Sequence, residues 1–145
     1  MTKNIASDVL IGLQHGDEGK GKITYCILKE NNYDLCIRYN GGPNAGHTIY
    51  HNNKKLVLHQ IPCGILVGIK SIIGNGCVID IDKLENEIIM LEESGVNNVR
   101  DNLKIASNSH VITNDNIELD KQNNKVGTTS SGIGPTYVNK YTKEN

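Results

Sequence analysis

Apolar residues fall in short runs broken by Gly, Asn and charged positions, and the runs change period along the chain. Asp8 to Leu13 is a short apolar, β-rich run closed by a polar, glycine-rich turn, which predicts a buried strand. From Lys20 to Glu30 the period becomes helical, with Ile23, Ile27 and Leu28 at i, i+4 and i+5 spacing. Asn31-Asn32 ends that helix. Asp34 to Tyr39 reads as a second buried strand, broken at Gly41-Gly42-Pro43. A strand–helix–strand unit of this kind predicts an α/β fold with a parallel sheet and a right-handed crossover.

Further on, His47–Tyr50 and Lys54–Leu58 flank Asn52-Asn53, a hairpin signal. Ser71–Ile73 and Cys77–Ile79 flank Gly74-Asn75-Gly76, a second candidate tight turn. Asp82 to Ser94 carries the clearest helical pattern, with Leu84, Ile88 and Leu91 on one face. Asp82 is its expected cap, Glu85 the capping-box partner and Gly95 its stop. Leu103–Ala106 predicts another strand, and polar, Asn-rich sequence follows as far as Lys125. Gly127 to Pro135 then packs Gly and hydroxyl residues into one loop, either a ligand cradle or a flexible connector. There is no internal repeat and no clear linker.

The 145 residues fit one domain, with 37% hydrophobic residues, 21% charged residues and a net charge of -1. That near-neutral balance argues against a nucleic-acid or membrane-surface partner. Phe and Trp are absent, so the core must come from Ile, Leu, Val and Tyr; the only arginines are Arg38 and Arg100. Cys26, Cys36, Cys63 and Cys77 form no C-x-x-C pair and sit among apolar neighbours, which predicts buried, reduced thiols. With no signal-peptide pattern in Met1–Ser7 and no run of membrane-spanning length, a cytoplasmic location is expected.

The chemistry concentrates in two loops. Gly16-Asp17-Glu18-Gly19-Lys20-Gly21-Lys22 follows one predicted strand and opens a predicted helix. Free backbone N–H groups and the positive end of the helix dipole then converge where a phosphate would sit, with Lys20 and Lys22 adding charge. Gly16, Gly21 and Lys22 match the G-x-x-x-x-G-K spacing of a P-loop, yet Ile23 stands where a Ser or Thr would hold Mg²⁺. Asp17 and Glu18 are also out of place in a plain phosphate cradle, unless a cation intervenes or a proton is moved. The second loop, Gly41 to Thr48, follows the other strand and offers Asn44, Gly46 and His47. In a parallel sheet, loops after neighbouring strands share the carboxyl edge and face each other across a crevice. His47, His51 and His59 lack a helix to gather them, which argues against a histidine metal site.

Together these loops resemble the adenylosuccinate synthetase family. Its pattern is G-[LM]-Q-W-G-D-E-G-K-G-K, then G-G-x-N-A-G-H-T, then G-N-G, then G-T-T-x-x-G-I-G-P. Here the corresponding stretches are Gly12–Lys22, Gly41–Thr48, Gly74–Gly76 and Gly127–Pro135, in the same order and at similar spacing. The resemblance runs from about Val9 to about Lys140 and implies the N-terminal part of a parallel-sheet, P-loop-like nucleotide-binding domain.

The implied activity is that of a ligase joining L-aspartate to IMP with GTP, the first committed step from IMP to AMP in purine biosynthesis. By resemblance, Asp17 is the general base at N1 of IMP and a Mg²⁺ ligand, and His47 is the acid assisting phosphoryl transfer to O6. Gly46 would give its carbonyl to the one Mg²⁺. Gly16, Asp17, Glu18, Gly19, Lys20, Gly21, Lys22, Gly46, His47 and Thr48 would bind GTP. Asp17, Glu18, Gly19, Lys20, Asn44, Ala45, Gly46, His47 and Thr129 would bind IMP. A cytoplasmic homodimer is implied as well. If Asp17 holds the metal, Ile23 need not be a hydroxyl residue.

The sequence departs from the pattern at His15 for Trp, at Ser131 for an Arg, and at Lys143 for an Arg that reaches a partner subunit's IMP. The resemblance therefore implies no role for Ser131 or Lys143. Family members also continue through aspartate- and guanine-binding segments, so residues 1–145 are expected to form an incomplete GTP/IMP-binding domain with no second domain. The alternatives are another phosphate-loop enzyme, which Ile23 and the acidic loop oppose, and a non-catalytic nucleotide-binding or subunit-pairing fragment.

Overall fold

The computed structural model describes residues 6–14, 16–122 and 129–143. His15, Gly127 and Thr128, all part of the family pattern, lie outside the described residues. Helix α1 spans Lys20–Glu30, as its period predicts, and closes where Asn31 turns its side-chain and backbone N–H groups onto the Ile27 carbonyl. Its buried face is Tyr25 and Leu28, whereas Ile23 is largely exposed. The reason is tertiary: α1 lies on the hairpin and the 3-10 turn, and Tyr25 Oη bonds His51 Nδ1 at 2.9 Å.

Strand β1 (Leu35–Arg38) leads through hairpin β2 (His47–His51) and β3 (Lys54–Leu58) to a 3-10 turn at Cys63–Val67 and strand β4 (Lys70–Ile73). Asn52 and Asn53 both take left-handed φ, at 48° and 62°, as a two-residue hairpin turn requires. A parallel sheet forms in the order β1-β4-β6, with β6 at Leu103–Ile105. Strand β5 (Val78–Ile79) leaves this sheet to pair in parallel with β7 (His110–Val111). The Gly74–Cys77 turn between β4 and β5 is tight, closed by Cys77 N–H to the Gly74 carbonyl at 3.0 Å. A Cβ on Gly76 would run into the Tyr39 carbonyl, so glycine lets this turn lie on the end of β1.

The expected strand at Asp8–Leu13 is a correction. That segment joins no ladder, and Val9, Ile11 and Leu13 are 73%, 62% and 86% exposed. A strand needs a neighbour for its backbone groups as well as an apolar sequence, and none of the described residues supplies one there. The parallel sheet therefore arises from the β1–β4 and β4–β6 pairings rather than from the predicted N-terminal unit.

Helix α2 runs Ile81–Glu93, and its cap is Asp80, not Asp82: the Asp80 carboxylate accepts from Lys83 N–H at 3.0 Å. Glu85 forms no capping box and instead meets Arg100, which also holds Glu92. Gly95 closes the helix at φ 88°, with Val96 N–H returning to the Leu91 carbonyl. After the short helix α3 (Val99–Asn102), the polar, Asn-rich stretch, to which the sequence assigned no element, contains β7 and helix α4 (Asn114–Gln122). Thr113 and Asn116 cap α4 reciprocally, each side chain accepting the other's backbone N–H. Helix α5 (Ile133–Thr142) begins inside the glycine-rich loop, where buried Asp120 accepts the Gly132 N–H at 2.9 Å.

The core gathers Ile49, Leu58, Ile61, Ile65, Ile73, Ile79, Leu91 and Val99 between sheet, hairpin and α2. Cys36, Cys63 and Cys77 are buried free thiols as expected, but Cys26 is exposed on α1.

Candidate functional site

The two loops singled out in the sequence wall a single cavity of about 790 Å³. One side is Gln14, Gly16–Lys22 and Thr24, the other is Asn44–Thr48, and the end of β1 with Leu58 and Ile61–Cys63 forms the floor. Asp17, Lys20, Lys22, Asn44, Gly46, His47 and Thr48 all line it. Thr129 is exposed and does not line it.

In the first loop Asp17 holds φ 58°, a left-handed conformation uncommon for a residue with a side chain. Glu18 folds back, accepting from Gln14 N–H at 2.9 Å and pairing with the Lys20 ammonium. The Lys20 hydrogen bond, and then that of Gln14, hold the Glu18 carboxyl below its ordinary range. Glu18 is thus neutralised within the loop, which removes one of the two acidic anomalies in the sequence. Helix α1 starts at once, after Gly19 in the left-handed region, so its first-turn N–H groups open toward the cavity.

His47 stands against that helix start. A Cβ on Gly21 would lie 2.6 Å from both the Cβ and Nδ1 of His47, so only glycine permits this approach. Burial first, then the positive Arg38 and Lys20 and the His59 ring, push the His47 pKa below its usual value. The neutral imidazole is favoured at neutral pH.

The second loop is held by residues whose role the sequence reading missed. Arg38, at the end of β1, donates Nη2–H to the Gly42 carbonyl at 2.8 Å, Nε–H to the Asn40 carbonyl at 3.3 Å, and Nη1–H to the His59 carbonyl. His59 Nδ1 lies 2.6 Å from the Ala45 carbonyl. Glu87 on α2 is buried, and its carboxylate accepts the N–H groups of His59, Gln60 and Ile61 at 3.0, 2.9 and 3.1 Å. Burial pushes its pKa up, and the three N–H donors oppose that shift. Tyr137 on α5 reaches across, its hydroxyl accepting from Gly41 N–H at 3.0 Å and donating to the Gly76 carbonyl at 2.8 Å. The sequence did hold two signals: an arginine ending an apolar strand, and a glutamate on the Leu84–Ile88–Leu91 stripe.

No cluster of three or more His, Cys, Asp or Glu side chains suited to a metal occurs among the described residues. Asp17 and Gly46 do line the same cavity, from its two sides.

The family model for adenylosuccinate synthetase matches residues 9–145. The chain is 48% identical to the adenylosuccinate synthetase of Streptococcus sanguinis over 143 residues, covering 94% of this chain and 32% of that protein. It is 49% identical to that of Prochlorococcus marinus, with the same coverage. Among solved structures, the fully ligated adenylosuccinate synthetase from Plasmodium falciparum superposes with a TM-score of 0.77 at 39% identity, over 91% of this chain and 32% of that one. The cyanophage S-2L succinoaminodeoxyadenylate synthetase, bound to dGMP and dATP, gives 0.69 at 28% identity, over 90% of this chain and 36% of that one. The chain spans about a third of the length of the curated relatives it matches. On its loops, its parallel sheet and these relatives together, the chain belongs to the adenylosuccinate synthetase family.

Proposed function

We propose that this chain carries the GTP-phosphate and IMP-binding part of a ligase that joins L-aspartate to IMP. The observation that carries this reading is the single cavity with Asp17 on one wall and His47 on the other. Phosphates of GTP bind the α1 N-terminus with Gly16–Lys22, Gly46 and Thr48, and the positive helix end and Lys22 balance their charge. IMP binds beside Asp17–Lys20 and Asn44–His47, while Thr129 stands outside the cavity.

Asp17 takes the N1 proton of IMP, which makes O6 nucleophilic, and O6 attacks the γ-phosphorus of GTP. His47 donates a hydrogen bond, and then a proton, to the phosphoryl oxygens in transfer. The aspartate amine displaces phosphate from C6, a step that needs O6 phosphorylated first because an oxo group leaves poorly. The phosphates would raise the His47 pKa by their charge, so the acid forms when nucleotide is in place.

The donor set fits Mg²⁺, which takes one or two carboxylates and leaves its other positions to phosphate oxygens and water. Asp17 and the Gly46 carbonyl would hold it, and when bound it would offset charge on the γ-phosphate. Those two protein ligands suffice for such an ion. The whole enzyme is a cytoplasmic homodimer in this reading.

Calorimetric titration of the chain with IMP and with GTP plus Mg²⁺ tests the proposal. Saturable binding of both is expected, with GTP binding weakened in Lys22→Ala; no binding of either ligand would overturn it.

A further inference from the structure

Cys36 and Cys63 meet on the floor of the cavity. Cys36 lies in the middle of β1, opposite Ser71, and Cys63 opens the 3-10 turn just after Pro62. The turn backbone presses directly on Cys36: a Cβ on Gly64 would stand 2.5 Å from the Cys36 Cβ and 3.3 Å from its sulfur. Cys63 immediately precedes Gly64, so this contact brings the two cysteines side by side across the strand–turn boundary. Both residues are buried and both line the cavity, which offers a small molecule a route to them.

The other cysteines differ. Cys26 is exposed on the outer side of α1, and the Cys77 thiol donates to the Arg38 carbonyl at 3.3 Å. Hydrogen bonding from Cys63 and from Gly64 N–H draws the Cys36 thiol below the ordinary cysteine range, with burial opposing, while Cys63 keeps its proton. That asymmetry suits one sulfur to attack and the other to resolve.

We infer that Cys36 and Cys63 form an oxidation site in the cavity floor, where hydrogen peroxide converts the two thiols into a reversible disulfide. The Cys36 thiolate attacks the peroxide oxygen, the O–O bond breaks, and the hydroxide released takes a proton to leave as water. Cys36 is then a sulfenic acid. The Cys63 sulfur, losing its proton, attacks the Cys36 sulfur; the S–S bond forms, the S–O bond breaks, and a second water leaves. Two thiols are oxidised and one peroxide is reduced. The bridge ties β1 to the 3-10 turn two residues before Arg38, the anchor of the second loop. Its link to nucleotide binding rests on the function proposed above.

The test treats the whole chain carrying Cys26→Ser with dilute hydrogen peroxide, alkylates the remaining thiols and maps the peptides by mass spectrometry. The expected result is a peptide pair bridged through Cys36 and Cys63, lighter by two hydrogens, with both thiols restored by a dithiol reductant. In Cys63→Ser the reaction should stop at a Cys36 sulfenic acid, captured by a dimedone-type probe, whereas in Cys36→Ser Cys63 stays alkylatable. Full alkylation of both residues in the Cys26→Ser chain after peroxide overturns the proposal, even if either further variant fails to fold. IMP and GTP added first should slow bridging. Bridging at an unchanged rate would uphold the oxidation site and count against the nucleotide site instead.

Discussion

The imidazole of His47 rests on the α-carbon of Gly21, with no room for a methyl group between them. A residue of the phosphate loop thereby sets the position of the proposed acid on the opposite loop. Replacing Gly21 by Ala would favour helix α1 by about 1 kcal/mol from propensity alone. The clash with His47 outweighs this, because overpacking at a fixed contact costs roughly 1–3 kcal/mol. Gly21→Ala should therefore lower both the melting temperature and the affinity for GTP. A raised melting temperature with unchanged binding would show that the contact is absent in solution.

His47 gives a pH prediction. Its folded pKa lies below the unfolded value of about 6.5, so the unfolded chain binds more protons in the interval between them. Its contribution to stability is complete above about pH 6.5 and is lost as pH falls through the folded pKa. NMR titration should find the His47 ring neutral at pH 7, and GTP with Mg²⁺ should move its midpoint upward. A midpoint that stays fixed when nucleotide binds would remove His47 from contact with the phosphates.

Glu87 satisfies three buried backbone N–H groups with one carboxylate. Glu87→Ala orphans all three and should cost at least about 3 kcal/mol in urea unfolding. Glu87→Gln keeps one acceptor oxygen and should cost less. Equal melting of the Ala and Gln variants would mean that the retained amide oxygen does nothing to hold these N–H groups.

Catalysis can be tested by supplying the rest of a family member, as a second chain or a fusion. Asp17→Asn and His47→Asn should then each reduce kcat by roughly 10²-fold or more, since each retains shape while losing a proton-transfer group. The chain alone should give no adenylosuccinate by absorbance. Near-normal turnover of Asp17→Asn would move the base elsewhere.

Apolar surface gives the last expectation. Val9, Ile11 and Leu13 are open to solvent, and so in part are Leu35, Ile37 and Tyr39 around β1. Strand β1 pairs only with β4 among the described strands, so one of its edges offers free backbone groups as well. The isolated chain should associate or bind an apolar-surface dye. A monodisperse, dye-silent monomer by light scattering would contradict this.

Local order was written in the sequence wherever one segment supplies its own reason to fold. Helix α1 and the Asn52-Asn53 hairpin lie where their periods and turn residues put them, because i,i+4 spacing and left-handed asparagines act over a few residues. The two loops were likewise recognisable, since glycines, lysines and an embedded histidine carry their chemistry at fixed spacing. Partners at long range were not. Asp8–Leu13 has a strand's composition and no strand to pair with among the described residues, and α4 has a polar sequence that folds through the Thr113–Asn116 cap and contact with α5. Only the tertiary structure decided that Glu87 would hold His59–Ile61, that Arg38 would grip the Gly42 carbonyl, and that Cys36 would meet Cys63. Such contacts join residues many positions apart, and no local period encodes which of them will be brought together.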